Sequence, residues 1–333
     1  QELREKLAVG MQVEVPFGNG NRRNTGYVVE LTDEPEYDIT KLKEIVGVAE
    51  GGIPIESQLI ALAGWMRENY GATMNQALKT VLPVKQKLKR PEKKKIVRCV
   101  SAEELSAVIR ICRQKHQVAK VRVLEALFTE EELPYELVRQ KLNVAPATLQ
   151  TLEKQGYLRI ERESYYRNPV RQMSREEDRP CLHEIQTHII DEVTADYQAG
   201  NPGTYLVHGV TGSGKTEVYL GIIERMIAMG KQAIVLIPEI ALTYQTLLRF
   251  YKRFGNRVSV INSTLSMGEK YDQIERAKAG EIDVIIGPRS ALFTPFANLG
   301  VIVMDEEHEG SYKSESSPKY HARETAIQIA SLY

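Results

Sequence analysis

The sequence predicts a multidomain chain of α/β and α+β architecture: a small β-rich domain, a winged helix, and a lobe with a parallel sheet around a P-loop. Three observations predict this. A complete GxxxxGK[ST] motif lies between a strand-like and a helix-like stretch. Strand-like apolar runs alternate with helical stretches around it. Before it, three short helical patterns lead into alternating residues, an order typical of a winged helix.

The first segment runs to about residue 95 and carries the β-rich domain. Met11–Val15 and Thr25–Leu31 alternate as strands do, and the glycine- and asparagine-rich residues between them are typical of a turn. A helix is expected from Glu56 to Asn69. Its Trp65 could stack on a base, but helical spacing favours a place in the core.

The second segment contains three helices and a hairpin. We expect helices over Val118–Phe128, from Pro134 to Leu142 and from Pro146 onward, because proline suits the first turn of a helix. Tyr157–Ile160 and Glu163–Arg167 then alternate as two strands. A winged helix binds DNA in some proteins and connects proteins in others, and this segment alone does not favour either role.

The third segment, from about residue 171, carries the parallel-sheet lobe. Five apolar runs predict its strands. They are Thr204–His208, Ala233–Ile237, Val258–Asn262, Asp283–Ile286 and Val301–Met304. The predicted domains are therefore residues 1–95, a linker at 96–116, the winged helix at 117–170 and the lobe at 171–333.

Charge and cysteine content restrict the class of protein. The net charge of the 333 residues is zero, so total charge does not indicate a nucleic-acid partner. Between Lys85 and Arg98, eight basic residues accompany one acidic residue, and this run favours a solvated linker over a phosphate-contacting patch. Three distant cysteines without a CxxC pair argue against a zinc site and fit a reducing compartment.

The apolar runs are too short to span a bilayer, and no secretion signal opens the chain. These observations predict a cytoplasmic protein without a membrane segment. The chain begins without methionine and ends inside a helical pattern, so we interpret it as a piece of a longer protein.

The P-loop motif predicts an ATP site. Its glycines let main-chain N–H groups surround phosphates, and the following helix N-terminus favours negative charge. Lys215 is expected to reach the β- and γ-phosphates, and the Thr216 hydroxyl to hold Mg²⁺. The predicted ATP contacts in the loop are Gly209, Thr211, Gly212, Ser213, Gly214, Lys215 and Thr216.

An acidic motif, DEEH, follows the last predicted strand. P-loop ATPases place a magnesium-binding aspartate there, which predicts that role for Asp305. Glu306 is expected to orient and polarise the attacking water, and His308 completes the catalytic candidates. An acidic helix start would be the alternative, but the motif follows Thr216 by 89 residues in an α/β pattern, which favours catalysis.

Together the two motifs indicate a DExH-box helicase of superfamily two. The resemblance implies that a glutamine before the P-loop reads adenine, and Gln186 supplies one. Between the motifs, PEIALT and GPRSALF follow strand-like runs where helicase lobes contact the DNA backbone. Arg289 in the second motif is therefore a DNA-contact candidate.

The match extends to a family. The stretches PEIALT, GPRSALFTPF, DEEHEGSYK and PKYHARETA, with VPFG, LKEIV and the Trp65–Tyr70 helix before them, resemble the PriA family of replication-restart helicases. The resemblance implies a domain that captures a three-prime DNA end, a winged helix and a RecA-like first lobe. It implies ATP and Mg²⁺ as cofactors. As partners it implies forked and single-stranded DNA, primosome proteins and single-stranded DNA-binding protein. It also implies a monomer that associates with the bacterial nucleoid in the cytoplasm.

The resemblance also implies DNA-binding residues. Gly18 and Lys43 match positions of the end-binding pocket, although Lys43 is equally well interpreted as a solvated surface lysine. The loop from Ser311 to Arg323 matches an aromatic-rich loop that couples DNA binding to ATP hydrolysis. Its candidates are Tyr312, Lys313, Tyr320 and Arg323, which suit base stacking and phosphate contact.

The chain departs from the family pattern at several places. Asn262-Ser263 stands where the family has His-Ser, and Pro288 lies in a motif that is usually Gly-Thr-Arg-Ser. The first pocket strand would precede Gln1, and the zinc module and second lobe with its arginine finger would follow Tyr333. We therefore expect this piece to bind nucleotide and DNA without unwinding DNA alone.

Two other classes of protein fit the sequence less well. A DNA-independent P-loop enzyme such as a kinase should lack the DNA-contact motifs between the P-loop and DEEH. A winged-helix regulator with a degenerate motor should have lost Lys215 or Asp305, and both are intact.

Overall fold

The computed structural model describes residues 7–18, 20–34, 38–49, 55–82, 92–167 and 181–333. They divide into two compact units. The first contains the described residues up to Leu82 together with those from Cys181 onward, and the second contains residues 92–167. Mixed α/β architecture with small antiparallel sheets and one parallel sheet is confirmed.

The first unit begins with a three-stranded antiparallel sheet. Strand β1 (Gln12–Phe17) lies between β2 (Arg22–Tyr27) and β3 (Gly47–Val48). Gly18 starts the β1–β2 turn with φ of +71°, a conformation that glycine adopts without steric cost. The two strands that the sequence predicts are present, the second shifted towards the turn.

Two helices follow, α1 (Ser57–Tyr70) and α2 (Met74–Val81). Gly71 ends α1 in the left-handed conformation, and Thr73 caps α2 through a reciprocal capping box with Gln76. The buried face of α1 shares one apolar core with the parallel sheet of the lobe, and Trp65 packs against that core. The core interpretation of Trp65 is confirmed, and the described residues up to Leu82 belong to the same compact unit as the lobe.

The second unit contains three strands and four helices in the described residues. In chain order these are β4 (Glu92–Arg98), α3 (Ala102–Gln114), α4 (Val118–Thr129), β5 (Glu132–Pro134), α5 (Tyr135–Gln140), α6 (Pro146–Lys154) and β6 (Leu158–Ser164). The strand order is β5-β4-β6. The helices that the sequence predicts are therefore present as α4, α5 and α6.

Two predictions for this unit are wrong. Residues 96–116 are not a linker, because they contain part of β4 and all of α3, whose Leu105, Ile109 and Cys112 are buried in the core of the unit. The predicted hairpin at 157–167 is instead the single strand β6, which pairs with β4. Local alternation identified β6 but not its partner, which lies more than 60 residues earlier in the chain.

Cross-strand charges explain how a lysine-rich segment forms a strand. Lys95 Nζ lies 3.1 Å from Glu132 and 3.2 Å from Glu161, on the strands at either side of β4. Lys93 Nζ lies 4.7 Å from the ring centre of Tyr165. Opposite charges on facing strands stabilise a sheet, so this part of the basic run is a paired strand and not a linker. Residues 85–91 of the run lie outside the described residues.

The buried position of α3 predicts a stability difference within one helix. Leu105 is fully buried and Ile111 is 50% exposed. Leu105→Ala should lower the free energy of unfolding by about 2–5 kcal/mol, because it leaves a cavity in the core. Ile111→Ala should change it by no more than about 0.5 kcal/mol. Urea titrations followed by circular dichroism compare the two, and equal small effects would contradict a core role for α3.

The lobe from Cys181 onward completes the first unit. Its elements are α7 (Glu184–Gln198), α8 (Lys215–Ala228), β7 (Gln232–Leu236), α9 (Tyr244–Phe254), β8 (Val258–Val260), α10 (Met267–Lys278), β9 (Val284–Gly287), β10 (Leu299–Met304) and α11 (Ala322–Ala330). The strands are all parallel in the order β10-β7-β9-β8. Every residue of β7 and β9 is buried, as expected for strands covered on both faces.

One predicted strand of the lobe is absent. Residues 204–208 form no strand, and Tyr205 and Leu206 are 41% and 76% exposed. The apolar run suggested a strand, but a strand also requires a partner, and β10 pairs only with β7 among the described residues. No described helix is long and apolar enough to cross a membrane.

Candidate nucleotide and DNA sites

The P-loop, Gly209–Thr216, connects an irregular segment to α8 and contains the first residues of that helix. Gly212 and Gly214 both have φ of +81°, and Gly214 is the N-cap of α8. At Gly214 the positive φ would strain any residue with a Cβ, and that Cβ would also displace the end of the Gln186 side chain. Thr211, Gly212 and Ser213 are exposed. The loop therefore presents main-chain N–H groups and a helix N-terminus to solvent, as phosphate recognition requires.

Lys215 lies against the loop that it follows. Its Nζ donates to the main-chain oxygens of Gly209, at 2.8 Å, and Val210, at 3.1 Å. These neutral acceptors hold the ammonium group at the P-loop. A phosphate oxygen would replace them with an acceptor of opposite charge, which makes the stronger interaction.

Gln186 joins α7 to the P-loop. Its Oε1 accepts from the main-chain N–H of His183 at 2.9 Å, and its Nε2 donates to Ser213 O at 3.3 Å. The contact places the predicted adenine-reading side chain beside the loop. Recognition of adenine by Gln186 stays a prediction.

Asp305 follows β10 at the carboxyl edge of the sheet. Its Oδ2 accepts from the Tyr219 hydroxyl at 3.2 Å and its Oδ1 from the Glu306 main-chain N–H at 3.1 Å. Burial raises the pKa of Asp305, and the charge of Glu306 acts in the same direction, whereas the hydrogen bond from Tyr219 and the charge of Lys215 lower it. A cation bound at this carboxylate would favour its ionised form.

Glu306 has an unusual main-chain conformation. Its φ is +47°, which costs a residue with a side chain about 1–3 kcal/mol and is concentrated at functional sites. Its side chain is 51% exposed, and one carboxylate oxygen lies 3.8 Å from Nδ1 of His308, itself 71% exposed. Both side chains are therefore accessible, in the DEEH turn beside Asp305.

The residues present suit Mg²⁺. Thr216 offers a hydroxyl in the first turn of α8, and Asp305 offers a carboxylate that the Tyr219 side chain of the same helix contacts. Mg²⁺ prefers such oxygen ligands and usually binds one or two protein groups together with substrate phosphates. Within the described residues, no group of three or more His, Cys, Asp or Glu side chains could hold a metal ion.

The predicted DNA contacts of the lobe divide into buried and exposed residues. Tyr312 and Tyr320 are only 1% and 4% exposed, so the prediction that they stack on bases does not fit this structure. Tyr320 instead packs edge-on against Phe293, with ring centres 5.5 Å apart. The aromatic content of the loop suggested stacking, but these two rings fill the core of the lobe.

Arg289 contacts this loop rather than solvent alone. Its Nη1 donates to the main-chain oxygens of Ser311, at 2.8 Å, and Lys313, at 2.6 Å. Lys313 is exposed, and Arg323 is also exposed and pairs with Glu307 at 3.1 Å. Of the four loop candidates, Lys313 and Arg323 are therefore accessible to a phosphate.

In the N-terminal sheet, the structure brings the two predicted pocket residues together. Lys43 Nζ donates to Gly18 O at 2.6 Å and to Asn21 Oδ1 at 3.0 Å. A Cβ on Gly18 would meet no atom within 4 Å, so the space beside the turn is open. Arg22 and Arg23 lie exposed on the neighbouring strand. The cation and the open turn thus form one exposed cluster.

Sequence reasoning missed Tyr219, Tyr70 and Arg253. Tyr219 lies in α8, and its hydroxyl donates to Asp305. Arg253 on α9 lies 3.2 Å from Glu217 and 2.9 Å from Glu224 of α8, and its side chain is 10% exposed. The seven-residue spacing of the two glutamates was a possible signal, because it places them on one face of a helix.

Two family models match the chain. The model described as 3'DNA-binding domain (3'BD) matches residues 1–83, and the model described as DEAD/DEAH box helicase matches residues 183–330. The second match contains Gln186, the P-loop and DEEH. The first contains Gly18, Lys43 and helices α1 and α2.

Curated relatives match nearly the whole chain. The replication restart protein PriA of Bacillus subtilis is 31% identical over 393 residues, covering 98% of this chain and 48% of the relative. That of Chlamydia muridarum is 33% identical over 334 residues, covering 98% and 44%. That of Synechocystis sp. is 52% identical over 128 residues, covering 38% and 15%. The chain thus spans less than half the length of these relatives.

Proposed function

The chain belongs to the PriA family of replication restart proteins, and we propose that it provides the ATP site and DNA-binding surfaces of a DNA helicase that restarts replication. The complete activity would be ATP-driven movement on single-stranded DNA in the three-prime to five-prime direction at stalled forks. Primosome proteins and single-stranded DNA-binding protein are the proposed partners. The proposed setting is the bacterial cytoplasm, with the protein a monomer at the nucleoid.

One observation carries the ATPase proposal: the hydrogen bond from Tyr219 to Asp305. It connects the helix that the P-loop begins with the carboxylate of DEEH, at 3.2 Å. Phosphate-binding N–H groups, the Lys215 ammonium and two hard oxygen ligands therefore lie on adjoining elements. This combination suits a nucleoside triphosphate better than an uncharged ligand.

Each residue then has a proposed role. Lys215 and the P-loop N–H groups bind the β- and γ-phosphates, and Gln186 contacts the adenine. Thr216 and Asp305 would hold Mg²⁺, which supplies charge neutralisation between the phosphates when bound. Glu306 orients water and accepts its proton, because its carboxylate is accessible beside Asp305. His308 lies within reach of that carboxylate.

The test is nucleotide binding followed by hydrolysis. This chain should bind a fluorescent ADP analogue in the presence of Mg²⁺. A full-length PriA-family protein should hydrolyse ATP faster when forked or single-stranded DNA is added. Binding of neither ADP nor ATP by this chain would contradict the proposed site.

We also propose that the cluster of Gly18, Asn21 and Lys43 binds the free three-prime end of a DNA strand. A strand end has a free hydroxyl and lacks a downstream phosphate, so its recognition requires close approach and a cation for the last phosphate. The open space at Gly18 supplies the first and the Lys43 ammonium supplies the second.

Lys43→Ala should remove the preference for a free three-prime end. We expect wild-type chain to bind forks with a three-prime hydroxyl more tightly than forks with a three-prime phosphate, and the variant to bind both about equally. One lost charged contact corresponds to roughly a tenfold to hundredfold change. Fluorescence anisotropy at fixed salt measures both affinities.

Lys41→Ala is the matched control. Lys41 is exposed nearby and pairs with Asp38 at 3.6 Å. It should lower affinity for both ends equally, through the loss of general attraction. Equal affinity of the wild-type chain for both ends would contradict an end-binding role for this cluster.

A further inference from the structure

The loop at residues 311–323 reaches the nucleotide site through a buried phenol. The Tyr312 hydroxyl oxygen lies 2.6 Å from Asp305 O and 3.0 Å from Leu236 O. A phenol has one proton, so two carbonyl oxygens share it: that of Leu236, the last residue of β7, and that of Asp305, which follows β10. Tyr312 thus holds β7 and β10 together where Asp305 leaves the sheet.

Asp305 is held from two directions. Tyr219 contacts its carboxylate from α8, and Tyr312 contacts its main-chain oxygen from the loop. The next residue, Glu306, has φ of +47° and depends on its surroundings to keep that conformation. Movement of Tyr312 would therefore change the positions of both acidic side chains without any contact to nucleotide.

Lys313, the residue after Tyr312, contacts helix α1. Lys313 Nζ lies 5.5 Å from the ring centre of Tyr70, the last residue of α1. The Tyr70 hydroxyl bonds to Glu324 Oε2 at 2.5 Å and lies 3.4 Å from the His321 main-chain nitrogen. Trp65 packs edge-on against Tyr70, with ring centres 5.5 Å apart. Loop, α1 and α11 thus meet around one aromatic side chain.

We propose that Tyr312 is a positioning residue that sets Asp305 for the metal–nucleotide complex, and that Lys313 and Tyr70 link this setting to helix α1. The inference rests on the proposed nucleotide site. It gives Tyr312 an internal role in place of base stacking. Arg289 donates to the main-chain oxygens on either side of Tyr312 and so holds this part of the loop in place.

Tyr312→Phe tests the inward contact. The ring and its packing stay, and only the hydroxyl is lost. The affinity for ADP with Mg²⁺ should fall about fivefold, the effect of one hydrogen bond, while the affinity in EDTA should stay unchanged. Isothermal titration calorimetry in both buffers measures the two ADP affinities, and their ratio is the Mg²⁺-dependent part of ADP binding.

Tyr333→Phe is the matched control, because its hydroxyl also donates to a main-chain oxygen, that of Phe296 at 2.7 Å. It should leave the Mg²⁺-dependent part of ADP affinity unchanged. The positioning role would be overturned by an unchanged Mg²⁺-dependent part in Tyr312→Phe, or by equal losses in the two variants.

The contact between Lys313 and Tyr70 can be followed by tryptophan fluorescence, because Trp65 packs against Tyr70 and is the one tryptophan of the chain. Binding of ADP with Mg²⁺ should change Trp65 emission in the wild-type chain. Lys313→Ala should remove that change while ADP affinity stays within about twofold, and Lys319→Ala, an exposed lysine of the same loop, should keep it.

An unchanged emission response in Lys313→Ala, or none in a wild-type chain that binds ADP, would overturn the link to α1. A wild-type chain that binds no ADP would overturn the nucleotide site itself, and the inference with it. The two failures are therefore distinguishable.

Discussion

Lys215→Ala should abolish tight nucleotide binding by this chain. In the structure its ammonium group lies at the P-loop, 2.8 Å from Gly209 O, where a phosphate oxygen would replace that neutral partner. A hydrogen bond between charged groups contributes about 1.5–3 kcal/mol, so we expect ADP affinity to fall at least roughly tenfold. Titration with a fluorescent ADP analogue measures the loss.

DNA affinity should stay nearly unchanged in the same variant, because the proposed end-binding cluster lies in the N-terminal sheet. Lys231→Ala is a suitable control, since Lys231 belongs to the same lobe and bonds to Asn298 Oδ1 at 2.7 Å. It should bind ADP as the wild-type chain does. Unaltered ADP affinity in Lys215→Ala would remove the basis for an ATP site here.

Much of this site could be predicted because its signals are local in the chain. The P-loop and DEEH are short motifs whose residue types are fixed by phosphate and metal chemistry, and the strands β7 and β10 have continuous apolar runs. The N-terminal cluster is predicted by resemblance alone, which places Gly18 and Lys43 in one pocket, and the structure joins them by a hydrogen bond.

The remaining features depend on partners that are distant in the chain. The sequence alone suggests a charged linker at β4, because the partners of Lys95, Glu132 and Glu161, lie on strands that are distant in the chain. The sequence alone suggests that Tyr312 is an exposed aromatic residue, because the main-chain oxygen of Leu236 that its hydroxyl contacts lies far away in the chain. In both cases the sequence contains the side chain but not the group that decides its role. Propensity and periodicity describe only the local part of such an interaction.

The second large effect concerns Glu306. In a full-length PriA-family protein, the change equivalent to Glu306→Gln should keep nucleotide binding and lower the turnover rate about 10²–10⁴-fold. The amide has the same shape as the carboxylate but does not accept a proton from water. ADP and ATP affinities of this chain should therefore stay close to wild type, in contrast to Lys215→Ala. Single-turnover hydrolysis and equilibrium binding separate the two properties.

The position of Glu306 explains why this change should be specific. Its side chain is half exposed, and it extends from a main-chain conformation that Asp305 supports through its own carboxylate. Neutralising Glu306 removes a charge that raises the pKa of Asp305, so the ionised form of the Asp305 carboxylate is favoured in the variant. Glu309→Gln, an exposed neighbour, should leave turnover unchanged. Near-normal turnover in Glu306→Gln would assign the activation of water to another residue, with His308 the next candidate because it lies beside the same turn.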